Sequence, residues 1–130
     1  MIGGGTVMGL SNLLTGVRDF DEIVALAAKG DHRNVDMLVK DIYGENSPGG
    51  KLSGDILASS FAKVSYNLSE QRQQEYRKED ILNSLMFMVS FNIGQLAYLV
   101  ADNHEVTDLY FVGNFVRNNQ PALEKIHMAV

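Results

Sequence analysis

Hydrophobic positions recur at helical spacing along most of this chain. Val7, Leu10 and Leu14, with Leu13 beside them, form one apolar face and predict a helix over Thr6–Leu14, stopped by Gly16. Asp19 is a candidate N-cap, with Glu22 three residues on, for a second helix through Ile23, Leu26 and Ala27 to Gly30. Asn34 caps a predicted third helix whose inner face is Met37, Leu38 and Ile42. The run "YGENSPGGKLSG" is a loop by its proline and glycines. Ser53 or Asp55 starts a predicted fourth helix through Ile56, Leu57, Ser60, Phe61 and Val64. The charged stretch "NLSEQRQQEYRKED" reads as a solvated helix face or loop. Glu79 or Asp80 then leads into a long apolar helix. Leu109–Val112 is rich in strand formers and ends on Gly113, so it is the one predicted strand. A last helix starts near Pro121, a residue suited to a first turn.

The long helix raises a membrane question. Ile81–Ala101 runs 21 positions without a charge, the length of a membrane span. Asn83, Ser84, Ser90, Asn92 and Gln95 interrupt it, and side-chain amides are costly in hydrocarbon. Mean hydropathy over the chain is −0.06. A buried core helix is therefore expected, with no membrane partner. The 130 residues are 45% apolar and 21% charged, enough to fold as one domain over 1–130 or as part of a larger one. A net charge of −5 speaks against a nucleic-acid partner, because broad phosphate binding needs excess Lys and Arg. The absence of cysteine excludes disulfides and thiolate metal sites and fits a reducing, cytoplasmic setting. One strand among six helices leaves backbone groups without partners, which points to a missing half or a partner chain.

Chemistry is concentrated at two glycine sites. The run Gly3–Gly5 before the first helix fits a mobile leader, a phosphate loop or the edge of a larger protein. A dinucleotide loop would need a third glycine at Met8, and a Walker loop would need Lys at Leu10. Amides at a helix start nevertheless attract anions, and glycine admits a phosphate closely. The second site is "YFVGN". In actin-like and sugar kinases such a strand–glycine turn packs on the nucleoside, where a side chain would collide. His32, His104 and His127 lack metal-ligand spacing and read as surface or structural histidines. Asp19, Asp21 and Glu22 are explained by a helix N-terminus.

"GGGTVMGLSNLLTG", "GDHRNVDMLVKDIYG", "ILASSFAKV" and "YFVGNFVRNN" stand in the order and spacing of type II pantothenate kinases. The chain resembles that family from Gly3 to Val130. The resemblance implies a helix-rich α/β fold, the second half of an actin-like, acetate-kinase and hexokinase type (ribonuclease-H-like) ATPase. It implies transfer of the ATP γ-phosphoryl group to the primary hydroxyl of pantothenate, the first step of coenzyme A synthesis, with Mg²⁺. By the same resemblance the general base and the pantothenate-holding residues belong upstream of Met1, so the chain alone should not turn over.

Residue by residue, Gly3, Gly4, Gly5, Thr6 and Val7 match the loop at the ATP phosphates. Phe20 matches an aromatic set against adenine in some bacterial members. Gly113 and Asn114 match the turn at the nucleoside. Tyr43, Leu57 and Ala58 match segments that reach the pantothenate and acyl-CoA pocket of the neighbouring protomer. Asp108 stands where animal relatives carry an arginine used in acyl-CoA inhibition, so control of that kind is in doubt. The family is homodimeric, and Leu85, Met88 and Phe91 are candidates for the interface or the core beneath it. The competing reading is a non-catalytic, kinase-like helical module for dimerisation or nucleotide binding.

Overall fold

The computed structural model describes residues 1–44, 52–66 and 76–130. Its axis is a 26-residue helix, α5, Lys78–Asn103. Around it, in chain order, lie α1 (Gly4–Thr15), α2 (Phe20–Ala27), a 3-10 turn (His32–Asn34), β1 (Met37–Leu38), α3 (Val39–Tyr43), β2 (Leu57–Ser59), α4 (Ala62–Tyr66) and α6 (Gln120–Ala129). α1, α2, the 3-10 turn and α6 all pack on α5. The shared core is Val7, Val17, Ile23, Ala27, Leu82, Leu85, Met86, Val89 and Ala122. Leu85 therefore lies in the chain's own core, whereas Met88 and Phe91 are half-buried.

Caps set the helix boundaries where local chemistry decides them. The Asp19 carboxylate accepts from the Glu22 amide at 2.9 Å and starts α2. Gly16 takes a left-handed conformation, φ 76°, and ends α1. Asn119 caps α6, with Pro121 in the first turn. The face that α1 buries is Val7, Ser11 and Thr15, so Leu14 is exposed and Leu13 is 79% exposed. Small residues on this face let α1 lie close to α5, and the larger leucines turn outward.

Three predicted elements take another form. Asn34 does not cap a third helix; it closes the 3-10 turn, whose cap is Asp31. Met37–Leu38 pairs antiparallel with Leu57–Ser59, and a helix forms only over Val39–Tyr43, leaving Ile42 exposed. The fourth helix does not start at Ser53 or Asp55; β2 and then α4 occupy that stretch. The cause is non-local: the buried Asp36 carboxylate accepts the Phe61 amide at 2.8 Å. That holds Phe61 at φ 60°, where a bulky residue cannot continue a helix. The segment Leu109–Val112 has no ladder among the described residues. It keeps a strand's alternation, with Leu109 and Phe111 half-buried and Tyr110 and Val112 86% and 90% exposed. The molecule is helix-rich, and its one sheet among the described residues is the two-stranded β1–β2 ladder. Residues 45–51 of the predicted loop and most of the charged stretch, residues 67–75, lie outside the described residues.

By length and composition α5 would pass as a membrane span. Its first half is covered by the other helices, and its second half exposes Leu96, Leu99 and Val100.

Close backbone contacts make sharp demands at two glycines. A Cβ on Gly30 would sit 2.0 Å from the Glu79 carbonyl oxygen, and one on Gly94 would sit 2.8 Å from that of Ile126. Gly9, inside α1, has nothing within 4 Å. Gly30→Ala should lower stability by about 2–3 kcal/mol through overpacking. Gly9→Ala should raise it by about 0.5–1 kcal/mol through helix propensity. Urea denaturation of both variants checks the pair; a neutral Gly30→Ala would disprove the contact.

Candidate functional site

α1 starts directly from the glycine run. Gly3 is its N-cap in extended backbone, and the Gly3 amide donates to Thr6 Oγ1 at 3.1 Å. The Gly3 carbonyl accepts the Thr6 and Val7 amides at 2.9 and 3.2 Å. The Gly4 and Gly5 amides have no acceptor among the described residues. They stand at the positive end of the helix dipole. Beside them opens a cleft of about 390 Å³ lined by Gly4, Gly5, Met8, Phe20, Asn114 and Phe115. It joins the first turns of α1, the start of α2 and the turn after Leu109–Val112. A Cβ on Gly4 would come within 3.2 Å of the Phe115 ring, so glycine there admits the ring. Phe20 and Phe115 lie 6.3 Å apart, tilted by 53°, so a planar group can lie flat on only one of them.

Of the residues expected at a nucleotide, Gly4, Gly5, Phe20 and Asn114 line this cleft. Gly3 and Thr6 serve the helix cap. Val7 turns inward, fully buried in the core, and does not line the cleft. Gly113 has φ 126°, a conformation that side-chain-bearing residues rarely adopt, and it turns the chain into Asn114. Tyr43 and Ala58 are exposed and outside the cleft, and Leu57 lines a different cavity. Met8 and Phe115 complete the cleft and were missed in the sequence. Their signals were the helical spacing from Gly4 and Gly5 and the position directly after "GN". No carboxylate lines the cleft, and no cluster of three metal-ligating side chains occurs among the described residues. These residues therefore do not fit a Mg²⁺ ion.

A second polar constellation tethers Gly30–Asp36 to α5. Asp36 is fully buried; one oxygen faces His32 Nδ1 at 2.9 Å, and the other accepts the Phe61 amide and the Ser84 hydroxyl. Asp80, also buried, accepts the Asp31 amide at 2.8 Å and the Asn34 side chain at 3.0 Å. Asn83 accepts the His32 amide and donates to the Ala27 carbonyl. His32 is thus a structural histidine. Its neighbour Arg33 grips Asp31 at 2.7 Å. Hydrogen bonds from that guanidinium hold the Asp31 carboxyl at about 2, below its ordinary 3.8. The pair therefore stabilises the fold above the ordinary value and loses its contribution as pH falls towards 2. In Arg33→Ala the Asp31 midpoint should rise towards 3.8. A carboxyl ¹³C NMR titration measures it, and an unmoved midpoint would rule out Arg33 as the cause.

The sequence profile of the Fumble family matches residues 1–130. The chain belongs to the Fumble family. Among its relatives is a Schizosaccharomyces pombe protein named pantothenate kinase, 42% identical over 99% of this chain. Pantothenate kinase 1 of Arabidopsis thaliana is also 42% identical over 99% of the chain. A Mus musculus protein named 4'-phosphopantetheine phosphatase is 45% identical over the same share. The chain spans 32%, 33% and 15% of the lengths of these three proteins, respectively. In this Fumble chain the glycine cleft and the Asp36–Asp80 tether lie on different segments, both referred to α5.

Proposed function

We propose that these 130 residues are the nucleotide-clasping segment of an ATP-dependent pantothenate kinase. One observation carries this reading: Gly4, Gly5, Phe20 and Asn114, from three separate segments, converge on one cleft beside two amides that lack acceptors among the described residues. The amides donate to phosphate oxygens, a phenyl ring supports the base, and the Asn114 amide offers polar contacts to the nucleoside. Names of relatives in yeast and plant supply the substrate, pantothenate. Phosphoryl transfer depends on positioning and charge neutralisation, and this segment offers neither a base nor metal ligands in the cleft. In the parent enzyme those come from elsewhere. The reading extends to a cytoplasmic homodimer whose sheet takes in Leu109–Val112 and whose neighbouring protomer meets Tyr43, Leu57 and Ala58. An acyl-CoA inhibitor would compete there without the arginine that Asp108 replaces.

The mouse relative's name favours a second reading. A segment 45% identical to this one sits in a protein named for a phosphatase, which fits a kinase-like module without kinase activity.

Gly5 offers a direct test, because a Cβ there meets nothing within 4 Å and the residue is exposed. Gly5→Val should weaken ATP binding at least about tenfold by blocking phosphate approach, without lowering the melting temperature. Calorimetric titration and thermal melting read the two effects. Unchanged ATP affinity in the folded variant would return the glycines to a linker role. The chain alone should release no ADP on addition of pantothenate, and turnover in a coupled assay would show that the active site is misplaced.

A further inference from the structure

We propose that Asn119 is a positioning residue for the nucleotide: its side-chain amide holds the turn that carries Asn114 and Phe115 to the glycine cleft, and nucleotide affinity depends on that hold. The inference rests on the nucleotide reading of the cleft. Asn119 is fully buried and does not itself line the cleft. It joins three elements. Its Oδ1 accepts the Ala122 amide at 3.1 Å and starts α6. Its Nδ2 donates to the Phe115 carbonyl at 2.8 Å and faces the Met86 sulfur of α5 at 3.4 Å.

Capping alone does not require asparagine. Serine and aspartate start a helix about as well, because the cap needs only a side-chain oxygen. What asparagine adds is the buried donor. Turned over, the amide would set that donor against the Ala122 N–H, so both ends fix one orientation. The turn needs such a hold. It leaves Leu109–Val112 through Gly113 at φ 126° and reaches α6 through Asn118 at φ 53°. The backbone bond at its end, from the Asn119 amide to the Val116 carbonyl, is long at 3.4 Å. The shorter side-chain bond falls on Phe115, whose ring packs on Gly4 and stands 6.3 Å from Phe20. Asn114, beside it, lines the cleft with all three. A turn free to shift would carry the ring off Gly4 and Asn114 off the nucleoside. Binding would then have to reorder the cleft, and the apparent affinity would fall.

Met8 lines the cleft, so its methyl group reports on nucleotide there. The 130-residue chain, labelled with ¹³C at its methionine methyls and with ¹⁵N, is titrated with ATP. The Met8 methyl and the Asn119 side-chain amide should shift saturably with one dissociation constant, although Asn119 lines no part of the cleft; this reading needs no variant. Asn119→Asp keeps the capping oxygen and sets an acceptor against the Phe115 carbonyl. Asn119→Ser keeps the cap and withdraws the donor. Each should weaken ATP binding about tenfold, the worth of one hydrogen bond, and move the Met8 signal before ATP is added. Val35→Ala, at a fully buried residue outside the cleft, should lower the melting temperature and keep the ATP affinity. No saturable Met8 shift in the unmodified chain would overturn the nucleotide reading, and this proposal with it. A saturable Met8 shift with an unmoved Asn119 signal, or with affinity retained in a folded Asn119→Asp chain, would overturn the positioning role alone. An equal loss of affinity in Val35→Ala would also overturn it, by reducing the effect to stability.

Discussion

The fold depends on two carboxylates that are taken out of water. Asp36 and Asp80 are both buried, and apart from the local contact of Asp36 with His32 their bonds join segments distant in sequence. Burying a carboxylate is costly unless donors surround it. Here the donors are an imidazole, a hydroxyl, an amide side chain and two backbone amides. Together they fix Gly30–Asp36 against the first turns of α5. Gly30 shows how close that seam is, since even a methyl group there would collide with the Glu79 carbonyl. Removing Asp36 would leave three groups without their partner at once, and removing Asp80 two, so the strap holds as a unit.

A third buried polar residue carries this order to the cleft. Asn119 is fully buried; it accepts the Ala122 amide at 3.1 Å and donates to the Phe115 carbonyl at 2.8 Å. It thereby starts α6 and fixes the turn that presents Asn114 and Phe115. α6 in turn lies against α5 across Gly94, where a Cβ would meet the Ile126 backbone. The cleft wall is positioned through a chain of contacts: core helix, α6, Asn119, then Phe115. Phe115 then packs on Gly4, so the glycine run and the second turn are aligned by a ring that needs glycine beneath it.

This explains which parts were legible in the sequence. Asp19, Gly16 and Pro121 act within four residues, and local pattern finds such signals. Gly3, Gly4, Gly5 and Asn114 were legible as glycine or post-glycine positions in quoted motifs. Asp36 was not, because its partners His32, Phe61 and Ser84 come from three elements, two of them far along the chain. Its grip on the Phe61 amide replaced the predicted fourth helix with a strand and a short helix. Leu109–Val112 failed in the opposite way: its alternation survives, but a ladder needs a second strand, and none meets it among the described residues. Val7 matches the loop by the family resemblance, while its place on the apolar face of α1 turns it into the core.

The glycines of α1 can be sorted by what each one allows. A glycine inside a helix costs about 0.8–1 kcal/mol relative to alanine, so an unexplained one calls for a reason. Gly4 has an internal reason in the Phe115 ring, 3.2 Å from where its Cβ would be. Gly5 and Gly9 have no internal reason, for a Cβ at either would meet nothing within 4 Å. The two differ in surroundings: Gly5 lines the cleft beside an amide without an acceptor, whereas Gly9 lines no described cavity. A ligand that approaches the backbone at Gly5 would turn that cost into access, and a phosphate oxygen is the group whose charge and size suit a bare amide at a helix start. Gly9 lies a turn further on, and nothing in the structure explains it. A flexible leader would account for neither the helical conformation of Gly4 and Gly5 nor their place in a cleft with Phe20 and Asn114. The cost at Gly5 therefore favours a bound anion over a mobile tail as the reason for the run.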